Sequence, residues 1–397
     1  MSLDLLKPVS DSLIDELNEN YLQGSIYKKL AIHTSSFGIP DLESTNVCII
    51  GLDEYRNSFF QSATQDLDSL RREFYKLKFS NWKLSISDLG NLPNGNTVDD
   101  TYHALYEICK KLLSKKIVLI TLGGSNDLIY PIFKSFDSYS DKVNIVSIDN
   151  QFDLYQESEL VSGRTYMNKI IIDDSNSLND FTNIGYQRHL CSHDELQLME
   201  KLFFEYISLG EISENNMKAE PIMRNSNIVG FDMKSLSFSA SFDQNEGNPN
   251  GIDSRLACIL TKYAGQSNKT NFLGLFELSN NKVSSKLYSE IIWYFLDGVD
   301  KRIIESNFDD AQTFNKYIVQ TSGRDIIFYK SKISEKWWML VDTSKNKSIS
   351  YLPCLESDYL EALNDNIPIR WLKACLLYTS DAADDSLRVD LGGRRII

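Results

Sequence analysis

Two short apolar runs joined by a helix-sized segment constrain this chain more than any other feature. Ile117–Leu122 and Val143–Ile148 are rich in β-branched residues, and the segment between them, Asp127–Phe136, has helical character. That is a strand–helix–strand unit of the parallel-sheet type, because parallel neighbours need a crossover long enough to hold a helix. In open parallel sheets, ligands bind just beyond the carboxyl ends of the strands. Gly123, Gly124, Ser125, Asn126 and Asp127 follow the first strand; Asp149, Asn150, Gln151 and Asp153 follow the second. Those positions are the candidates for chemistry.

The surrounding chain repeats the alternation. Further strands are expected at Val47–Gly51, Leu84–Leu89, Lys169–Ile172, Thr182–Tyr186, Ile228–Phe231 and Asn271–Phe276. Between them, Thr64–Leu77 carries Leu67, Leu70, Phe74 and Leu77 on one helical stripe. Thr97 with Asp100 forms a capping box that opens a helix to Leu113. Asp194–Gly210 reads as one long helix, Ile252–Gly265 as a helix with a glycine C-cap, and Ser284–Gly298 as a helix with Gly298 beyond its end. This pattern predicts an α/β fold: a three-layer, doubly wound, mainly parallel sheet over residues 47–320. Residues 1–46 read as a helical lead-in. Residues 321–374 change character, with short strands at Ile326–Tyr329, Trp337–Val341 and Ser348–Leu352, a helix at Asp358–Leu363 and a tail Ile367–Ala374. They read as a small antiparallel appendage.

Composition excludes several classes. Over 397 residues the net charge is −14, and no basic block offsets it, which argues against a nucleic-acid partner. No apolar run is long enough for a transmembrane helix, and Met1–Pro8 lacks the pattern of a secretory signal. The six cysteines are scattered without a CxxC pair, which suits reduced thiols in a cytoplasmic protein.

Residues 375–397 match nothing upstream in periodicity or composition. The peptide Cys-Leu-Leu-Tyr-Thr-Ser-Asp-Ala-Ala-Asp, and Val-Asp-Leu-Gly-Gly-Arg-Arg-Ile-Ile after it, resemble a translated sequencing adapter. The segment is therefore set aside, with the native C-terminus expected somewhere past Ala374.

Three motifs carry a family resemblance. Gly123-Gly124-Ser125-Asn126-Asp127 is similar to Gly-Gly-x-His-Asp, Asp149-Asn150-Gln151-Phe152-Asp153 to Asp-Ala-His-x-Asp, and Gly230-Phe231-Asp232-Met233-Lys234 to Ser-Phe-Asp-x-Asp. Together they resemble the ureohydrolase superfamily (arginase, agmatinase, formimidoylglutamase) over most of Val47–Val299, closest to the formimidoylglutamase-like branch of Bacteroidetes-type bacteria. The resemblance implies a metal-dependent hydrolase of linear amidine or guanidine C–N bonds, with two Mn²⁺ ions held by two histidines and four aspartates. It also implies relatives that often form trimers or hexamers, so a homo-oligomer is open.

Carried over residue by residue, three ligand positions survive: Asp149, Asp153 and Asp232. Three are replaced: Asn126 and Gln151 stand for histidines, and Lys234 for the last aspartate. Neutral amide oxygens are poor substitutes for imidazole on Mn²⁺. Lys234 can place an ammonium where a second cation would sit; at about 4 Å and an effective dielectric near 20, a charge pair is worth about 4 kcal/mol before desolvation. The expected cofactor is accordingly none, or one weakly bound divalent cation. Glu277, after the last strand, matches the glutamate that receives the guanidinium or amidine group in relatives.

Other constellations fall short. His33, His103, His189 and His193 lack ligand spacing, no Walker lysine follows Gly123-Gly124-Ser125, and no G-x-S-x-G elbow occurs. Three readings stay open: a pseudoenzyme that binds a small cationic amidine or guanidine ligand or acts by assembly; a C–N hydrolase using one metal or none; and a structural module in which Lys234 and the aspartates form an ion-pair cluster.

Overall fold

In the computed structural model of this chain, described for residues 2–19, 23–59, 66–138, 142–154, 161–173, 177–243, 247–343 and 348–379, nine parallel strands form one sheet and four antiparallel strands form a second. The large sheet contains β1 (Ala31–Ile32), β2 (Val47–Leu52), β3 (Ile86–Leu92), β4 (Val118–Leu122), β5 (Val143–Ile148), β6 (Leu178–Tyr186), β7 (Glu205–Ser208), β8 (Ile228–Asp232) and β9 (Phe272–Phe276). Their spatial order is β1-β3-β2-β4-β9-β8-β5-β6-β7. The crossover from β4 to β5 therefore passes over the places that β9 and β8 occupy, and a crevice opens where the order reverses.

Both faces of this sheet are buried, and alternate residues of one strand feed opposite cores. Val47 and Ile49 join a core with the helices Leu67–Lys76, Ser254–Gln266 and Lys282–Asp300, whereas Cys48 and Ile50 join one with Val98–Ser114, Ile129–Lys134, Tyr166–Asp173 and His193–Lys201. The two-residue side-chain period of a strand places successive side chains on opposite faces. The result is the three-layer, doubly wound architecture. The capping box of Thr97 and Asp100 is present at the start of Val98–Ser114.

Several local expectations are corrected. Lys169–Ile172 is helical, within Tyr166–Asp173, because Tyr166, Met167, Ile170 and Ile171 bury one helical face despite the β-branched run. The helix expected over Asp194–Gly210 ends at Lys201; Phe203 turns the chain at φ +58°, and Glu205–Ser208 becomes the edge strand β7. Gly265 and Gly298 lie inside their helices rather than at or beyond the ends. A Cβ on Gly265 would lie 2.1 Å from the Phe295 carbonyl oxygen, and one on Gly298 2.5 Å from that of Lys262. They are the contact surface of two crossing helices. Residue 64, where a helix start is expected, and 380–397 of the C-terminal segment lie outside the described residues.

The appendage has one strand more than expected. It comprises β10 (Phe314–Gln320), β11 (Asp325–Ser331), β12 (Trp337–Thr343) and β13 (Ser348–Cys354), each antiparallel to the next, followed by the helices Glu356–Leu363 and Ile369–Thr379. Buried Arg224, in the helix Ala219–Asn225 that leads into β8, ties it to the main domain, donating to the carbonyls of Trp337 and Cys354 at 3.0 Å each while lying 4.3 Å over the Trp338 ring. Among the described residues no helix is long and apolar enough to cross a membrane.

Candidate functional site

The carboxyl ends of β4, β9, β8 and β5, four adjacent strands at the centre of the sheet, deliver the candidate residues to one crevice. After β4, Gly123 and Gly124 take φ of +85° and +79°, a region that glycine enters without steric cost. A Cβ on Gly124 would sit 2.3 Å from Leu128 Cδ1. The turn they allow is pinned where Ser125 N–H donates to the Glu54 carbonyl at 3.0 Å and Glu277 N–H to that of Gly124 at 2.9 Å. Asn126 then enters the crevice, and its Nδ2 donates to Asp232 Oδ2 at 2.8 Å.

Asp149, Asp153, Asp232 and Glu277 line the crevice with Asn126, Asn150, Gln151, Gly163, Arg164 and Phe59. The four carboxylates are between 1% and 7% exposed. Asp149 Oδ1 accepts from Gln151 N–H at 3.1 Å, whereas Oδ2 of both Asp149 and Asp153 is buried without a hydrogen-bond partner. Glu277 Oε2 accepts from Ser58 at 2.7 Å. Asp153 and Glu277 hold left-handed backbones at φ +57° and +53°, the kind of local strain that persists where surrounding structure over-determines a functional position. Gln151 contributes its backbone, its carbonyl accepting from Asn183 Nδ2 at 2.6 Å.

Electrostatics follow from this crowding. Burial, then the neighbouring Asp232, holds Asp149 well above the usual carboxylate range. Burial, then Asp149 and Asp232, does the same to Asp153. Asp232 is raised by burial alone; the Lys234 N–H, the Asn126 amide and the charges of Lys234 and Arg164 oppose it. Burial, then Asp232, pushes Glu277 up to about 8. Like charges in a low-dielectric pocket disfavour ionisation together. The cluster is built to retain protons, or to receive a cation that brings N–H donors.

Lys234 departs from expectation. Its backbone N–H donates to Asp232 Oδ1 at 2.6 Å, but its ammonium pairs with Asp243 Oδ2 at 2.5 Å. Ser279 donates to the same oxygen at 2.6 Å. The partner is an aspartate that sequence reasoning passed over, in the Ser-, Asn- and Gly-rich stretch after β8. Arg164 was missed as well. Its only signal was a Gly–Arg pair after a polar loop downstream of β5, which names no chemistry by itself.

A model of the arginase family matches residues 45–243, half of the chain. The chain belongs to the arginase family. Its fold is similar to that of formiminoglutamase from Trypanosoma cruzi solved with Mn²⁺, at TM-score 0.60 and 16% identity over 67% of this chain and 97% of that one. The formimidoylglutamase from Bacillus subtilis matches at TM-score 0.62 and 15% identity, over 74% and 100% of the two chains. A hypothetical agmatinase from Burkholderia thailandensis matches at TM-score 0.56 and 15% identity, over 70% and 91%. No curated protein sequence matches the chain. At such identities the structural likeness establishes the fold.

The donors present differ from the two-histidine, four-aspartate set that the family resemblance implies: Asn126, Gln151 and Lys234 stand at three of the six positions. Asn126 presents an N–H to Asp232, so one carboxylate oxygen is engaged by a donor where imidazole nitrogen would be a ligand. The charges of Arg164 and Lys234 act on the same carboxylates.

Proposed function

We propose that this arginase-family protein is a pseudoenzyme: it retains the family crevice as an acidic cation-binding site and does not run metal-dependent C–N hydrolysis. The observation that carries the reading is the Asn126–Asp232 hydrogen bond, a donor aimed where the family chemistry calls for a ligand. The family chemistry uses a pair of metal ions to generate and hold a bridging hydroxide, and the amides of Asn126 and Gln151 are weak donors for such a pair. The carboxylates and Glu277 suit a small planar amidinium or guanidinium ion, held by charge-assisted hydrogen bonds, in a cytoplasmic protein that acts by binding or assembly.

The test is Mn²⁺ retained per chain after loading and desalting, together with hydrolysis of formimidoylglutamate, agmatine and arginine. The expected result is no stoichiometric Mn²⁺ and no turnover. Two retained ions with turnover would return the protein to the hydrolases; one ion with turnover of an amidine would favour the second reading, a hydrolase on Asp149, Asp153, Asp232 and Glu277.

A further inference from the structure

At the opposite end of the sheet from the carboxylate crevice, the amino ends of β5, β6 and β7 and the appendage enclose a second cavity of about 70 Å³. That is room for about five to seven waters. Phe203, Ile222, Leu352, Pro353 and Ala374 give it an apolar wall, and Asp180, Glu205, Arg370 and Lys373 bring ionisable groups to it. Most of the polar lining is already spent. Arg370 pairs with Glu205 at 3.2 Å. Asn179 Nδ2 donates to Asn144 Oδ1, and Asn144 Nδ2 to the Asn225 carbonyl, at 2.7 Å each. Two groups of opposite sign are left. Asp180 Oδ1 is buried without a hydrogen-bond partner, an acceptor for which the chain itself supplies no donor. The Lys373 ammonium lies 5.8 Å from the centre of the Tyr206 ring. Its charge pulls on the Asp180 carboxyl, but among the described residues neither group forms an ion pair.

We propose that this cavity binds a small zwitterionic amino acid, its ammonium on Asp180 and its carboxylate on Lys373, with an aliphatic side chain against Phe203, Ile222 and Leu352. A ligand carrying both charges answers both unspent groups at once. A simple cation leaves Lys373 unpaired, and a simple anion meets Asp180. Hydrogen bonds to ionised groups are about twice as strong as neutral ones, so the two ends fix the ligand's orientation. The volume sets its size: alanine and valine are of the order of the cavity, and aromatic amino acids exceed it. Leu352 and Pro353 lie on β13, and Lys373 and Ala374 on the helix Ile369–Thr379, whereas Asp180 lies on β6. The ligand therefore also ties the appendage to the sheet. The cavity is separate from the crevice, so metal retention and turnover at the crevice do not bear on it.

The experiment titrates L-alanine and L-valine into the full chain by calorimetry, for the wild type, Asp180→Asn and Lys373→Met. Isobutylamine and isovalerate serve as probes that carry one charge each. At least one of the two amino acids is expected to bind the wild type saturably, and each single-charge probe at least about tenfold more weakly, the worth of one charge-assisted hydrogen bond. Asp180→Asn and Lys373→Met should each weaken the amino acid by at least about tenfold; the first keeps the side chain's shape and the second its apolar stem, and either one, folded, decides the matter. The amino acid should also raise the melting temperature of the wild type and leave the variants unchanged. An ammonium needs the Asp180 carboxyl ionised. Burial, then Glu205, holds that carboxyl up at about 7, against Lys373 and Arg370, so the wild type should bind about tenfold more tightly at pH 8 than at pH 6. No saturable binding of either amino acid overturns the proposal, as does equal binding by the wild type and a folded variant. Isobutylamine binding as tightly as valine overturns it as well, and would assign the heat to the acidic crevice.

Discussion

Lys234 donates its ammonium to Asp243 at 2.5 Å, with both side chains about nine-tenths buried. Removing one partner of such a pair leaves a buried, uncompensated charge and costs about 3–5 kcal/mol, whereas replacing both by neutral groups is often close to neutral. Lys234→Met is therefore expected to lose about 3 kcal/mol in urea denaturation, and Lys234→Met with Asp243→Asn to recover most of it. Reverting the position to the family aspartate, Lys234→Asp, should be worse still, since it sets a third carboxylate beside Asp243 and Asp232. A Lys234→Asp variant as stable as the wild type would show that the ion pair carries no structural weight.

Restoring imidazole should change the metal chemistry in a way the lysine does not prevent. Asn126→His removes the amide donor now on Asp232 and offers a nitrogen lone pair; Gln151→His offers a second beside Asp149 and Asp153. The double variant is expected to retain Mn²⁺ through desalting when the wild type does not, read by elemental analysis. Equal retention by the two proteins would mean that the amides are not what sets metal affinity here.

Much of this site was legible in the sequence for a physical reason. Strand ends in a parallel sheet deliver side chains to one edge, so Asn126, Asp149 and Asp153 could be gathered from two apolar runs and the polar residues after them, whereas Asp232 and Glu277 rested on the family resemblance. The cation beside them could be gathered from neither. Arg164 lies 3.6 Å over the Phe59 ring, a relation between segments about a hundred residues apart that no local pattern encodes. The same limit explains β7: Phe203 adopts a left-handed conformation without glycine or proline to announce it, so the apolar positions through Ile207 looked like one continuous helix. Gly265 and Gly298 looked like helix ends by composition and prove to be a helix crossing, a tertiary role.

That crossing yields its own expectation. A methyl group on Gly298 would meet the Lys262 carbonyl at 2.5 Å and the Gln266 nitrogen at 2.9 Å, backbone atoms that cannot swing aside. Gly298→Ala should therefore destabilise by about 1–3 kcal/mol through overpacking, even though alanine is the better helix former by about 1 kcal/mol. A rise in melting temperature would show that the helices separate freely at this point.

The appendage depends on Arg224. Its guanidinium satisfies the Trp337 and Cys354 carbonyls, pairs with Glu220 at 3.1 Å and stacks on Trp338. Arg224→Met leaves those carbonyls without this donor, and each buried unsatisfied group costs about 1–3 kcal/mol. Limited proteolysis should then cut faster in the linker over residues 301–313, with Lys336 still holding Glu220 at 3.1 Å. An unchanged cleavage rate would assign the anchoring to the apolar contacts alone.

Acidity should stabilise the seam between sheet and appendage, through Asp180. The residue is partly exposed, but its Oδ1 is buried without a hydrogen-bond partner. Burial, then the charge of Glu205, pushes its carboxyl from 3.8 up to about 7, against the pull of Lys373 and Arg370. Below pH 3.8 both folded and unfolded states hold the proton, and Asp180 contributes no slope. Between that value and about 7 the unfolded chain ionises while the folded one stays protonated, so the folded state binds more protons and stability falls as pH rises. Above about 7 the loss is complete, at most on the order of 4 kcal/mol. Asp180→Asn cannot ionise in either state. It should match the wild type near pH 4 and become the more stable protein at pH 8, by up to that amount, in urea denaturation followed across the range. The comparison isolates one group, because every other titrating carboxyl is common to both proteins. Parallel pH profiles for the two would place the Asp180 carboxyl in contact with water and return its pKa to the ordinary range.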